Sequence, residues 1–286
     1  MIDRRRISDR SRQLHRKSHK TAWRPALGFV LANLNRARTA ARYAREFIHP
    51  SGDPVIVVSH HKCASVWTWS VIRHACQQRK IPARRILTHQ RRGPLFQRAC
   101  RVVMVIDSRD NMPLSHLRSC RLIHVTRDPR GILGSMLESH RSTHPLSRRE
   151  HDPWGEIARN RAALATRNDA DGYRWLLQNS DYLARVIEQM VMIEQTADPE
   201  ERVDLSDIAT DPRDSIRRLV VPLGVPEADV DDLTERFAFA KSRNPNGHHR
   251  RGQPESWQEE LPTDVLRSFQ ARWGRELEML GYPASP

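Results

Sequence analysis

The stretch "VVSHHKCASVWTWSVIR", residues 57–73, joins a β-branched apolar run to an amphipathic segment, with one lysine, Lys62, in the turn between them. Val55–Ser59 is short, apolar and preceded by the turn-rich "HPSGDP", so it reads as a buried strand; the segment that follows the turn reads as a helix to about Lys80. A turn ahead of a helix aims free backbone amides and the positive end of the helix dipole at whatever lies in it, and an anion is the natural occupant. The kinase-type phosphate loop does not fit. No glycine falls between Gly52 and Gly93, and the hydroxyl residue follows Lys62 by three positions rather than one.

Working outward, "RVVMVI" at 101–106 and "RLIHVT" at 121–126 are two more buried runs that end abruptly in polar residues. Three such strands separated by helical stretches predict an α/β fold, a three-layer parallel sheet wrapped by helices. In these sheets functional loops lie at the carboxyl ends of the strands, where Lys62, Asp107 and Arg127 all fall. From about Trp154 to Thr196 the chain reads as helical, with Trp175, Leu176, Leu183, Val186, Ile187, Met190 and Ile193 as its apolar stripe. Residues 203–224 read as a short strand, an Asp-Pro helix start and an amphipathic helix stopping at Gly224.

The chain has 286 residues and a formal net charge of +14. Residues 1–50 hold 13 Lys or Arg and 3 Asp or Glu, so the rest of the chain is nearly balanced and is not a surface for coating polyanions. Residues 1–24 read as a disordered basic arm. Residues 25–50 read as an amphipathic helix opened by Pro25, and two readings stand: packed on the domain with a solvated basic side, or lying on an acidic membrane through residues 1–48. Residues 51–286 form the α/β domain. The arm lacks the interleaved aromatics that stack bases, so no specific nucleic acid is expected. Four cysteines without paired spacing suit a reducing compartment, and with no spanning segment or secretory signal the expected location is cytoplasmic.

"HKCASVW" resembles, without a gap, the 5′-phosphosulfate loop P-K-S-G-T-T-W of sulfotransferases that use 3′-phosphoadenosine-5′-phosphosulfate (PAPS). Lys62 takes the lysine position, Cys63 and Ala64 the Ser-Gly pair, Ser65 the first threonine and Trp67 the tryptophan near the adenine; His61 replaces the proline and Val66 the second threonine. "RLIHVTRDPRGILGSMLESH" is similar to the family's 3′-phosphate segment, with Arg127, Asp128 and Pro129 followed by Ser135 eight residues after the arginine. "RRGQPESW", 250–257, resembles the closing loop R-K-G-x-x-G-x-W through Arg250, Arg251, Gly252 and Trp257, with Glu255 in place of the second glycine. Residues 203–224 resemble a further segment, Y-E-D-L-x-x-D-P, with Leu205 and Ser206 in place of the tyrosine and glutamate.

The resemblance implies in-line transfer of a sulfuryl group from PAPS to a hydroxyl or amine of an acceptor (carbohydrate, glycolipid or small molecule), releasing adenosine 3′,5′-bisphosphate (PAP) without a metal. Lys62 would neutralise charge on the leaving oxygen, Ser65 and the amides of 63–67 would hold the 5′-phosphate, and Arg127, Ser135, Arg250, Arg251 and Gly252 the 3′-phosphate. The family's cytosolic members place a histidine after the strand preceding the 3′-phosphate strand. Here Asp107 stands at that strand end and is the first expectation for the general base, ahead of Glu138 and His140. His89, His116, His140, His144 and His151 otherwise read as surface residues. Two rival readings are a P-loop kinase-like phosphotransferase with Asp107 as its magnesium-binding acid, and a non-catalytic basic protein with a nucleotide-type fold that binds an anionic surface.

Overall fold

The computed structural model describes residues 54–87, 101–106, 120–144, 156–238 and 254–283. These fall in the compact unit Ile48–Pro286. The expected basic arm and amphipathic helix, together with Asp107, Arg250, Arg251 and Gly252, lie outside the described residues.

Among the described residues a parallel sheet is built from β1 (Val55–Ser59), β2 (Ala83–Leu87), β3 (Val102–Ile106), β4 (Arg121–Thr126) and β5 (Arg202–Asp204), in the order β2-β3-β1-β4-β5. β1 and β3 are buried along their whole length, as strands covered on both faces must be, and this is why they read as unbroken apolar runs. The chain leaves β1, visits β2 and β3 on one side, then crosses to β4 on the other. The topological switch therefore lies at the carboxyl end of β1, where an open parallel sheet forms its ligand crevice.

On one face α1 (Ser65–Gln78), α6 (Leu205–Thr210), α7 (Pro212–Val220) and α8 (Val230–Phe237) pack against Val55, Val57, Val102, Met104, Ile123 and Val125. The second core belongs to α2 (Pro129–Glu138), α4 (Asp169–Asn179), α5 (Asp181–Glu194) and α10 (Thr263–Met279). The long stretch expected to be helical from Trp154 is divided into α3 (Glu156–Leu164), α4 and α5. The breaks have local causes: Asn168 caps α4 by accepting from the Asp171 amide, and Ser180 caps α5 by accepting from that of Leu183. Val265, Phe269, Trp273 and Leu277 give α10 one apolar face, each side chain contributing roughly 1.5–3 kcal/mol on burial.

Candidate active site

β1 and β4 run in register, Ser59 beside Val125, so the two chain segments that follow them emerge side by side. The first carries Lys62 and the second Arg127. Arg127 donates from Nη1 to the Lys62 carbonyl at 3.3 Å, which ties the two loops together.

The loop after β1 is held from beneath. Ser59 Oγ donates to the Cys63 carbonyl at 2.8 Å, the Cys63 amide donates to the His60 carbonyl at 3.1 Å, and the Ala64 carbonyl accepts from both the amide and the hydroxyl of Thr68. Lys62 and Ala64 both sit in the left-handed region, at φ 65° and 51°. Ala64 caps α1 and makes no side-chain capping bond, so the first amides of a 14-residue helix are left for something other than a side chain. Ser65 is half-buried, Val66 is 50% exposed, and Trp67 is buried with its Nε1 donating to the Phe237 carbonyl at 2.8 Å.

Two cations, Lys62 and Arg127, are brought together here. Burial, with the Arg127 guanidinium as a second cause, lowers the Lys62 ammonium to about 8, and burial pulls Arg127 down too. Burial pushes the Cys63 thiol up to about 12, which removes any thiolate role. Arg127 Nε is buried and has no hydrogen-bond partner. A Cβ at Gly131 would stand 2.8 Å from that nitrogen, so the glycine is the condition for the arginine to lie against α2. Asp128 and Glu260 act on Arg127 through space, but Asp128 makes its bonds elsewhere: it caps α2 by accepting from the Arg130 amide at 2.8 Å and pairs with the Arg130 guanidinium at 2.7 Å, and Arg130 in turn lies 4.0 Å from the Trp257 ring centroid. A half-buried cation with a buried, orphaned donor and a cleared cradle is a site built for an anion.

The remaining nucleotide candidates lie along this frame. Ser135 is half-buried late in α2, and the Pro254 carbonyl approaches Gly131, bringing the segment before α9 (Trp257–Glu260) over Arg127. Leu205 and Ser206 open α6, where the Asp204 carboxylate accepts from the Ser206 amide and hydroxyl and from Thr126 and Tyr282. Burial opposes the Asp204 charge, but the bonds from Ser206 and Tyr282 outweigh it and hold the carboxyl below its usual range.

The structure corrects the expectation that His140 is a surface residue. It is wholly buried, and His144 is half-buried. After α2 the chain makes one π-helical turn, Ser139–Thr143, closed by the His144 amide on the Ser139 carbonyl at 2.7 Å, and the wider turn tucks His140 inward. Two consecutive loop residues each meet a histidine from a different element. His60 Nε2 lies 2.9 Å from His124 Nε2 of β4, and His61 Nε2 lies 3.3 Å from His140 Nε2. Behind the first pair His124 Nδ1 meets Glu194 at 2.7 Å; burial holds both imidazoles down, so they stay neutral, and Glu194 is kept charged by His124 and Arg202 despite its own burial. No local spacing links residues so far apart in sequence. The available signal was His61 standing where the resembled loop has proline.

A family model described as "Sulfotransferase domain" matches residues 52–281. Among solved structures the chain is similar to mouse sulfotransferase SULT7A1 complexed with PAP, at 14% identity over 83% of this chain and 91% of that one, with a TM-score of 0.56. It is also similar to retinol dehydratase in complex with androsterone and inactive cofactor PAP, at 13% identity over 85% of each chain, with a TM-score of 0.54. No curated protein matches the chain. Among the described residues no group of three or more His, Cys, Asp or Glu is placed to hold a metal, and no helix is long and apolar enough to cross a membrane.

Proposed function

The chain belongs to the sulfotransferase family, enzymes that move a sulfuryl group from PAPS to an acceptor, and on that premise we propose that Lys62 and Arg127 grip the donor nucleotide by its 5′ and 3′ ends. The observation that carries the reading is Arg127 Nε, buried without a partner beside a lysine that burial has weakened. Bound donor supplies an activated sulfuryl group and two phosphate ends; the site residues answer each. The amides of Cys63, Ala64, Ser65, Val66 and Trp67, with the Ser65 hydroxyl, hold the 5′-phosphate. Arg127, Ser135, Arg250, Arg251 and Gly252 hold the 3′-phosphate, whose double charge matches a guanidinium fork.

Lys62 places its ammonium against the oxygen that leaves sulfur, where negative charge grows most in the transition state. A mobile point charge suits that task better than a flat guanidinium. The acceptor is a hydroxyl or amine on a carbohydrate, glycolipid or small molecule. Asp107, next in sequence after β3, is the sequence's choice to take the acceptor proton. The concentration of positive charge before residue 51 supports contact of residues 1–48 with an acidic membrane.

Calorimetry with adenosine 3′,5′-bisphosphate and adenosine 5′-phosphate tests the nucleotide assignment. The bisphosphate is expected to bind far more tightly, and equal affinities would sink the assignment of the 3′ end to Arg127.

A further inference from the structure

We propose that His61 and His140 act as a paired general base that receives the acceptor's proton. The idea rests on the sulfuryl-transfer reading and gives the acceptor's proton to this pair in place of Asp107. His61 adjoins Lys62 and is half-buried, whereas His140 is sealed behind it. Their Nε2 atoms lie 3.3 Å apart, and Asn160 Nδ2 stands 3.0 Å from His140 Nδ1. The rings of His144 and Tyr182 border His61 at centroid distances of 5.3 and 4.8 Å. Four elements thus converge beside the charged end of the loop: the loop itself, the π-helical turn, α3 and α5. Such turns are often found at functional sites, and this one carries His140 and is followed directly by His144.

The pairing decides which nitrogen is basic. In one tautomer Asn160 donates to His140 Nδ1, and His140 donates from Nε2 to His61 Nε2. Asn160 Oδ1 is buried without a partner, and turning the amide by half a revolution presents that oxygen to a proton on His140 Nδ1 instead. His140 Nε2 then accepts from His61 Nε2–H, which leaves a lone pair on His61 Nδ1. The second arrangement is the working base. As the acceptor oxygen bonds to sulfur, its proton moves to His61 Nδ1; the bond from sulfur to the bridging oxygen breaks, and its electron pair stays on the departing 5′-phosphate. The imidazolium so formed donates to His140, which spreads its charge into a buried neutral ring. His144 and Tyr182 border both rings, and Lys62 follows His61 in the chain.

The test uses the full chain and His61→Ala and His140→Gln variants, each first shown to be folded by the rise in melting temperature that adenosine 3′,5′-bisphosphate induces. Failure of the wild type to bind that nucleotide would sink the sulfuryl-transfer reading itself. With labelled PAPS, and 2-naphthol and water as probe acceptors, both variants are expected to lose turnover by roughly 10²-fold with nucleotide affinity unchanged, and added imidazole is expected to restore part of the His61→Ala rate. A normal rate in His61→Ala overturns the proposal and leaves Asp107 as the base. Independently of any acceptor, imidazole nitrogen NMR on the wild type is expected to show the two rings sharing one proton; two independent protonations, or none, would equally overturn it. Should neither probe be turned over, the NMR result decides.

Discussion

The two strand-end segments that meet at the site are built on opposite terms. After β4 every local rule is obeyed: Asp128 is an extended cap that accepts from the Arg130 amide, Pro129 fills the first turn of α2, and the Asp128–Arg130 pair is covered by Trp257. After β1 the rules are broken, with Lys62 and Ala64 in left-handed backbone, no capping side chain, and two cations facing each other. The satisfied segment keeps its shape alone and can present Arg127 rigidly. The strained one is incomplete until an anion arrives, which is where conformational cost and charge repulsion are turned into binding and catalysis.

That contrast puts the largest effect on the incomplete side. Lys62→Ala is expected to cut turnover by roughly 10²–10³-fold with the fold intact, because the charge acts mainly in the transition state; Lys62→Arg is expected to restore only part of it. Steady-state rates with labelled PAPS check this, and normal turnover in the alanine variant would reduce the loop to a structural turn. Arg127→Ala comes next. It is half-buried with Nε out of reach of solvent, so its loss is expected to weaken adenosine 3′,5′-bisphosphate by on the order of 2–4 kcal/mol in calorimetry while 5′-phosphate binding changes little. Equal losses for both nucleotides would mean that Arg127 serves the loop through its bond to the Lys62 carbonyl and not the 3′ end.

The two segments also differ in how they could be read from sequence. The β4 segment was legible because strand, arginine, cap and proline lie within a few residues, and each has a local meaning. The lysine loop was legible through its resemblance, since Cys63, Ala64 and Val66 carry none of the family's local chemistry. β2 escaped because "ARRIL" has too few apolar residues to announce an edge strand; its place is set by pairing with β3. The four-residue spacing of Val265, Phe269, Trp273 and Leu277 was a usable sign of α10 that the motif reading passed over. The histidine pairs were not readable at all, because 64 and 79 residues separate their members and only parallel strand register and one π-helical turn bring them together.

A smaller effect follows from the weakened lysine. Below about pH 8 Lys62 is charged in the empty site, and the burial of that charge, with repulsion from Arg127 as a second cause, costs stability; above that value the folded protein sheds the proton before the unfolded chain does, so this cost fades as pH rises toward 10.5. Nucleotide binding runs the other way. An anion restores the ammonium, so above pH 8 binding must take up a proton, and affinity for adenosine 3′,5′-bisphosphate is expected to fall by up to about tenfold per pH unit. The phosphates are fully ionised there, their second ionisation lying near pH 6. Calorimetry in buffers of different ionisation enthalpy measures the proton directly; a flat profile in the wild type would show that the ammonium is not part of the anion site, and Lys62→Met is expected to be flat.

The smallest effect separates strain that serves the ligand from strain that merely exists. Ala64 stands where the resembled loop has glycine, and its left-handed backbone costs roughly 1–2 kcal/mol. Glycine would remove that cost at an entropic penalty of about 0.5–1 kcal/mol, so Ala64→Gly is expected to stabilise by about 0.5–1 kcal/mol, a rise of a few degrees in melting temperature. Lys80 provides the control. It too is left-handed, at φ 55°, but it ends α1 in the ordinary way: its amide bonds to the Gln77 carbonyl, and that of Ile81 to Cys76, a geometry that favours glycine at this position. Lys80→Gly is therefore expected to give a similar gain in melting temperature and no change in nucleotide affinity. In Ala64→Gly the empty loop is also free to leave its binding shape for conformations that alanine forbids, so affinity for adenosine 3′,5′-bisphosphate is expected to fall, by at most about as much as stability rises. If both variants gain stability and neither changes affinity, the left-handed turn at Ala64 is a helix boundary like that at Lys80, and the contrast between the two strand ends rests on charge alone.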